Sequence, residues 1–229
     1  MDFIHRSHKP ELLDQPGIPA ADIARNLYEL EVINRRLGGH AITVEAFRTL
    51  VKKHQSLTVC EIGCGGGDNL RAIQRHTAPS QTKLQYMGID LNPDCIGVAE
   101  KADWENLPEF IVSDYREVIF EAKPDILFSS LFCHHFTEEQ LVDMFCWMRN
   151  NAGIGFFIND LHRHRIAYYA IRILTGFFSR SYLVKNDAPL SVLRGFKKNE
   201  LKNILYKAGI LHYTLKWKWA FRWLLIVPS

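Results

Sequence analysis

Apolar positions along this chain follow two rhythms. Between residues 58 and 160, short apolar runs recur: Thr58–Ile62, Leu84–Asp90, Phe110–Asp114, Asp125–Phe132 and Gly155–Asn159. Runs of this length, each ending near Gly, Asp or Asn, predict strands. The stretches between them, 68–76, 93–102, 115–121 and 137–150, have helical spacing. Such alternation predicts a parallel sheet covered by helices on both faces. Upstream, 11–40 reads as helical: Ile23, Leu27, Leu30 and Ile33 share a stripe, and Gly38-Gly39 ends it. A second helix is expected over 42–54. Downstream, a helix over 197–207 is followed by strands over 211–217 and 221–227, with a reversal at Trp219-Ala220 that makes the final pair antiparallel. Residues 161–195 break the rhythm. Their apolar, aromatic segment Arg165–Phe178 falls where a doubly wound fold needs only a short connection, so 161–195 reads as an inserted cap.

Composition narrows the class. With 229 residues, 47% apolar and 23% charged, the chain suits one α/β domain and excludes disordered, collagen-like and coiled-coil classes. No uncharged apolar stretch reaches 18 residues, and Met1–Arg6 has no apolar core of signal-peptide length. Five cysteines without a Cys-x-x-Cys motif read as free thiols, so a cytoplasmic protein is expected. The net charge of +3 hides a split. Residues 161–229 hold 13 Lys+Arg against Asp187 and Glu200, a net +11, and the first 160 residues carry −8. A basic third of this kind suits nucleic acid, a membrane surface or an acidic substrate, or is simply solvated.

The chemistry centres on Val59-Cys60-Glu61-Ile62-Gly63-Cys64-Gly65-Gly66-Gly67-Asp68, a strand running through glycines into a helix. Glycines let the backbone turn sharply and admit a ligand to the strand end. A nicotinamide fingerprint requires a sixth-position Gly, where Asp68 stands; a pyrophosphate there would be repelled, but a cationic cofactor would not. Asp90, 27 residues past Gly63, ends the second strand and can accept both hydroxyls of a ribose. Asp114 in Ser113-Asp114-Tyr115 ends the third; its carboxylate suits an adenine amino group, and Tyr115 can cover the ring.

With these residues in order at successive strand ends, the chain resembles the class I S-adenosylmethionine-dependent methyltransferases over about 55–160 and 195–229, and more loosely the bacterial small-molecule O-methyltransferases acting on polyketide or phenolic substrates. The resemblance implies a Rossmann-like, doubly wound, seven-stranded sheet with the last strand antiparallel. It implies S-adenosylmethionine as cofactor, with Glu61, Gly63, Cys64 and Gly65 at the methionine part, Asp90 and Leu91 at the ribose, and Ser113, Asp114 and Tyr115 at the adenine. In this organisation 1–229 is a single domain: an N-terminal helical cap over 1–55, a core of 56–160 and 196–229, and the substrate cap over 161–195.

The acceptor is less constrained. After strand four the chain reads Ser129-Ser130-Leu131-Phe132, without the Asp/Asn-Pro-Pro-aromatic motif of base N-methyltransferases. Next comes Phe132-Cys133-His134-His135-Phe136-Thr137-Glu138-Glu139, similar to the segment of small-molecule O-methyltransferases in which a histidine is general base. The match falls on His134. His135 is the neighbouring candidate, and local capping by both rings is the alternative. A neutral imidazole can take a phenol's proton as the oxygen attacks the sulfonium methyl. Asp160 lies after strand five. No carboxylate follows strand four to complete a magnesium site, and His162 with His164 is too sparse for zinc, so no metal is expected. Asp160, Arg163, Tyr168, Tyr169 and Arg172 are the expected substrate residues: aromatic lining for a flat or alkyl-bearing acceptor, arginines for an acidic group. Trp217, Trp219 and Trp223, interleaved with Lys216, Lys218 and Arg222, suit a sheet face or a peripheral membrane belt. The reading is methyl transfer to a small, phenolic, polyketide or quinone-precursor acceptor, most simply at oxygen. An RNA methyltransferase using the basic third, or a nucleoside-binding protein without transfer activity, is the alternative.

Overall fold

The computed structural model describes residues 1–51, 56–77 and 83–229. Seven strands form one sheet: β1 (Ser56–Ile62), β2 (Lys83–Asp90), β3 (Glu109–Val112), β4 (Ile126–Ser130), β5 (Gly155–Leu161), β6 (Thr214–Lys218) and β7 (Arg222–Pro228). Their order is β3-β2-β1-β4-β5-β7-β6. All neighbours pair in parallel except at β7, which runs antiparallel to both β5 and β6. This is the expected doubly wound sheet with an antiparallel last strand. β1 and β4 are adjacent although β2 and β3 separate them in sequence, so the strand order reverses there. A crevice opens beyond the strand ends at such a point.

Strand alternation sorts the core into two layers. Cys60, Ile62, Leu127, Phe156, Ile158 and Leu225 pack against α5 (Glu138–Asn151) and α8 (Lys198–Lys207). Val59, Phe128, Phe157, Leu224 and Ile226 pack against α2 (Gly39–Leu50) and α3 (Asp68–Thr77). Phe128 and Phe157 stack in this second layer, 4.7 Å between centroids. Helix α5 opens on a full capping box, Thr137 with Gln140, which fixes where the chain leaves the His134–His135 turn.

Several expectations need correction. Helix α1 runs only from Ala20 to Arg36. The expected helix from residue 11 is broken by Pro16, Gly17 (φ +82°) and Pro19, which leave residues 2–19 as an irregular strap with turns at 13–17. Helix α2 starts at Gly39, earlier than expected, because Gly38 adopts a left-handed conformation (φ +81°) and caps it directly; the end expected at 54 lies outside the described residues. The stretch 115–121 holds only a 3-10 turn, Tyr115–Glu117. Residues 161–195 do form an added pair of helices, α6 (Arg165–Phe178) and α7 (Tyr182–Arg194), packed on each other. The three tryptophans do not form one belt. Trp217 and Trp219 are exposed, whereas Trp223 is buried and donates its indole N–H to the Phe196 carbonyl (3.1 Å). Among the described residues, no helix is long and apolar enough to cross a membrane.

The strap is tied down by side chains rather than by a backbone ladder. Arg6 donates to the carbonyls of His134 and Phe136 (3.0 Å each) and of Arg194 (2.9 Å). The Leu12 and Leu13 N–H groups donate to Asp187 of α7 (2.8 and 3.0 Å). Arg194 donates to the Lys9 carbonyl and to those of His134 (3.2 Å) and His135 (2.8 Å). The added helices therefore hold the strap against the end of β4.

Candidate active site

A cavity of about 1130 Å³ occupies the crevice beyond β1, β2, β3 and β4. Its floor is the glycine loop. Gly63, Gly65 and Gly67 all have positive φ (+67°, +51° and +70°). Gly63 carries a second constraint, since a Cβ there would come within 2.3 Å of the Phe132 ring. Gly63→Ala should therefore cost about 2 kcal/mol or more, from left-handed strain plus overpacking, measurable by chemical denaturation. A change within about 0.5 kcal/mol, the range of neutral surface substitutions, would mean that loop and ring relax apart easily.

Carboxylates stand at three successive strand ends in this cavity. Glu61, near the end of β1, is buried with its Oε2 unpartnered. Burial, with Asp68 and Asp90 nearby, pushes its carboxyl well above the ordinary glutamate range. Asp90 accepts the Gly65 N–H at one oxygen (2.8 Å) and the Asn92 N–H at the other (2.9 Å), tying the loop to the end of β2. Asp114 is forked by Arg116, 3.0 Å from Nε and 2.5 Å from Nη2, which holds its carboxyl below the usual range. Asp68 in the first turn of α3 lies 2.6 Å from His40 Nε2 and accepts from Asn34 Nδ2 at 2.9 Å. Burial opposes its charge, but these two partners prevail and keep the carboxyl ionised. Asp68 and Asp114 thus favour their charged forms at this end, whereas burial raises the Glu61 and Asp90 carboxyls.

The roof was not foreseen. Helix α1 lies over the glycine loop, with Leu27 side-chain carbons 3.4 to 3.6 Å from where Cβ atoms of Gly65 and Gly66 would stand. Arg71 of α3 binds α1 through Glu31 (2.8 Å) and the loop through the Gly66 carbonyl (2.7 Å). Strap residues Leu13 to Pro16 close the far end. Ser130 at the end of β4 was also missed; it lines the cavity with a buried hydroxyl lacking any partner. Its place directly after the apolar run 126–128 was the available signal.

Every expected cofactor residue lines this cavity: Glu61, Gly63, Cys64, Gly65, Asp90, Leu91, Ser113, Asp114 and Tyr115. The expected catalytic pair divides. His135 lines the cavity beside Phe132 and Phe136; His134 does not, and is buried. His134 Nδ1 lies 2.8 Å from Asp160 Oδ1, and its Nε2 faces Glu11 of the strap at 3.4 Å. Burial disfavours a charged ring, but Asp160 and Glu11 outweigh it and raise the imidazolium pKa to about 9. None of the expected substrate residues lines the cavity. Asp160 partners His134. Arg163 is fully buried and paired with Glu200 (2.5 Å). Tyr168 is buried, while Tyr169 and Arg172 face outward on α6. The expectation placed α6 over the strand ends, but α1 and the strap occupy that position.

Residues 59–151 match a family model described as a methyltransferase domain. No curated protein sequence matches the chain. Among solved structures, the plantazolicin methyltransferase BpumL in complex with SAH superposes with a TM-score of 0.66 at 14% identity, covering 92% of this chain and 95% of that one. Human N-acetylserotonin methyltransferase in complex with SAM gives 0.65 at 12% identity, over 92% of this chain and 56% of that one. Magnesium protoporphyrin IX methyltransferase from Synechocystis PCC 6803 with bound SAM gives 0.56 at 14% identity, over 94% and 100%. At these identities the likeness is one of fold. Residues 59–151 thus match a methyltransferase-domain model, and the chain has the Rossmann-like fold that these structures share.

Proposed function

We propose that this chain transfers the methyl group of S-adenosylmethionine to an oxygen of a small aromatic or amphipathic acceptor of the phenolic, polyketide or quinone-precursor kind. The observation that carries the reading is a single cavity with two unlike ends. One end holds the glycine loop, Glu61, Asp90 and Asp114; the other holds Phe132, His135 and Phe136 under the strap. The first end suits a cationic nucleoside: an unpartnered buried carboxylate at Glu61, a ribose acceptor at Asp90, and an anionic Asp68 where a pyrophosphate would be repelled. The second is apolar and aromatic, as sites for flat acceptors are. The solved structures reported above are named for plantazolicin, N-acetylserotonin and magnesium protoporphyrin IX, which share no one acceptor class, so the acceptor class here rests on the cavity's own lining. Binding of the donor and the acceptor in one cavity gives the in-line approach that methyl transfer needs.

RNA as acceptor is the weaker reading. Arg163, Arg194 and Arg222 are buried, and all three are held by internal partners, which removes them from the basic surface that an RNA would contact.

Calorimetry should show binding of S-adenosylmethionine and of its demethylated product, and Asp90→Ala should weaken both by about 1.5–3 kcal/mol. Tight binding of a dinucleotide in their place would remove the reading. A nucleoside binder without transfer activity would bind the cofactor and leave it unconsumed with every phenol offered.

Glu61 adds a pH dependence. Burial holds its carboxyl proton to a higher pH than an ordinary glutamate. The cofactor's ammonium and sulfonium favour the ionised form, so binding should expel a proton. Affinity should therefore rise with pH up to the raised value and level off beyond it, and the calorimetric heat at neutral pH should vary with buffer ionisation enthalpy. In Glu61→Gln the buffer dependence should vanish. Equal heats in all buffers for the native chain would place the cofactor's charge away from Glu61.

A further inference from the structure

The strap brings Glu11 to the two histidines that follow β4, and the three form the single cluster of potential metal ligands among the described residues. One ligand atom from each lies within 4.8 Å of the others. Glu11 Oε1 is 3.4 Å from His134 Nε2, and Glu11 Oε2 is 3.8 Å from His135 Nε2. Two ligands on one ion at bond lengths of about 2.0–2.2 Å stand roughly 3–3.5 Å apart, so little adjustment is required.

A second observation points the same way. The far nitrogen of each ring is already held by a carboxylate: His134 Nδ1 by Asp160 at 2.8 Å, His135 Nδ1 by Asp14 at 3.1 Å. A carboxylate behind a histidine is the usual support of a metal-bound imidazole, since it fixes the ring and directs the other nitrogen at the ion. His134 Nε2 is sealed from solvent, and its proton faces Glu11 Oε1 at 3.4 Å without a well-formed hydrogen bond, so a bound ion would take that proton's place. A buried polar nitrogen is rarely left this way without something to receive it. Glu11 itself is buried and oriented by the Ser191 hydroxyl at 2.8 Å.

The geometry points to a site for one divalent transition-metal ion of the zinc class, held by Glu11, His134 Nε2 and His135 Nε2 where the strap meets the end of β4. Two imidazoles and one carboxylate suit zinc, cobalt or iron better than magnesium, which prefers oxygen donors. Three protein ligands leave at least one position for water or an oxygen ligand. His135 lies in the cavity wall, so the ion would border the acceptor end. It would also cross-link the strap to the sheet, joining residue 11 to residues 134 and 135. Nε2 of His135 cannot hold the ion and accept a proton at once, so metal loading and a free His135 base exclude each other. The site rests on its own geometry and does not depend on the methyl-transfer reading.

The test is direct metal binding by the full chain, freed of metal with a chelator and carrying no histidine tag. Titration with Co²⁺ should give one equivalent with visible absorption bands of a low-coordinate nitrogen–oxygen site, and Zn²⁺ should displace it. Asp14→Asn, on the partly exposed strap, should weaken binding by about 10–100-fold, as loss of a carboxylate behind a ligating histidine does. Glu11→Gln should weaken it at least as much, while His164→Ala should leave it unchanged. A cooperative thermal transition and a native circular-dichroism spectrum for each variant report that it is folded. Substoichiometric binding without the bands, or binding that survives Glu11→Gln and Asp14→Asn in folded protein, would overturn the proposal. Because no readout involves turnover, a failed metal titration leaves the transferase reading intact, and a failed turnover assay leaves the metal site intact.

Discussion

Arg163→Met should lower the stability of this chain by about 3–5 kcal/mol, the range for breaking a buried ion pair from one side. The guanidinium is fully buried and acts as a hub. It donates to both Glu200 carboxylate oxygens (2.5 and 3.1 Å), to the Gly195 carbonyl (2.5 Å), and to the strap carbonyls of Phe3 (3.2 Å) and Ile4 (2.8 Å). Methionine fills much of the volume but supplies no donor, so three carbonyls and a carboxylate lose their partner together. Glu200 is 29% exposed and keeps its bond to the Lys197 N–H (2.7 Å), which favours the lower end of the range. For a chain of this size the melting temperature should fall by about 10 °C, read by calorimetry. Arg163→Lys should recover part of the loss, because it restores the charge but not the forked donors. If instead Arg163→Met melts like the native chain and raises KM for the acceptor, Arg163 contacts substrate, as its place in the sequence suggested.

This residue also shows where sequence reading stops. The strands were legible because a parallel sheet buried on both faces leaves continuous apolar runs, such as Ile126 to Phe128 and Phe156 to Ile158. The glycine-loop end of the cavity was legible because a glycine loop and strand-end carboxylates are local features: Gly63, Asp90 and Asp114 each sit within a few residues of the strand that positions them. The end under the strap is built from long-range pairings that leave no local trace. An arginine just ahead of an aromatic helix reads the same whether it faces a substrate or a half-buried glutamate 37 residues on. Nothing between Met1 and Pro19 marks the strap as a roof. Its placement depends on Asp187, Ser191 and Arg194, some 175 residues downstream, and its proline and glycine residues say only that it is not a helix. The same limit applies to Glu11, whose meeting with two histidines is a product of tertiary structure alone.

His135→Ala should lower kcat by roughly 10²–10⁴-fold with an acceptor that turns over, while leaving S-adenosylmethionine affinity close to that of the native chain. The reason is position. After β4 the chain turns through a 3-10 segment, Cys133–His135, and this turn sends successive side chains to different surroundings. Cys133 goes into the core and His134 into the Asp160–Glu11 cluster, leaving His135 with Phe132 and Phe136 in the cavity wall. An acceptor hydroxyl at this end meets His135 first. His134→Ala should behave differently. It removes the partner of Asp160, which is buried, and of Glu11, so its main effect should be lost stability and a loosened strap. Melting curves and single-turnover rates, measured side by side, separate the two. With His135→Ala the residual rate should climb with pH as the phenol, with a pKa near 10, ionises unaided. A selective loss of kcat in folded His134→Ala, with His135→Ala near native, would return the assignment to the residue matched by the sequence motif. If neither substitution lowers kcat tenfold, orientation in the cavity carries the reaction and no side chain at this turn takes the proton.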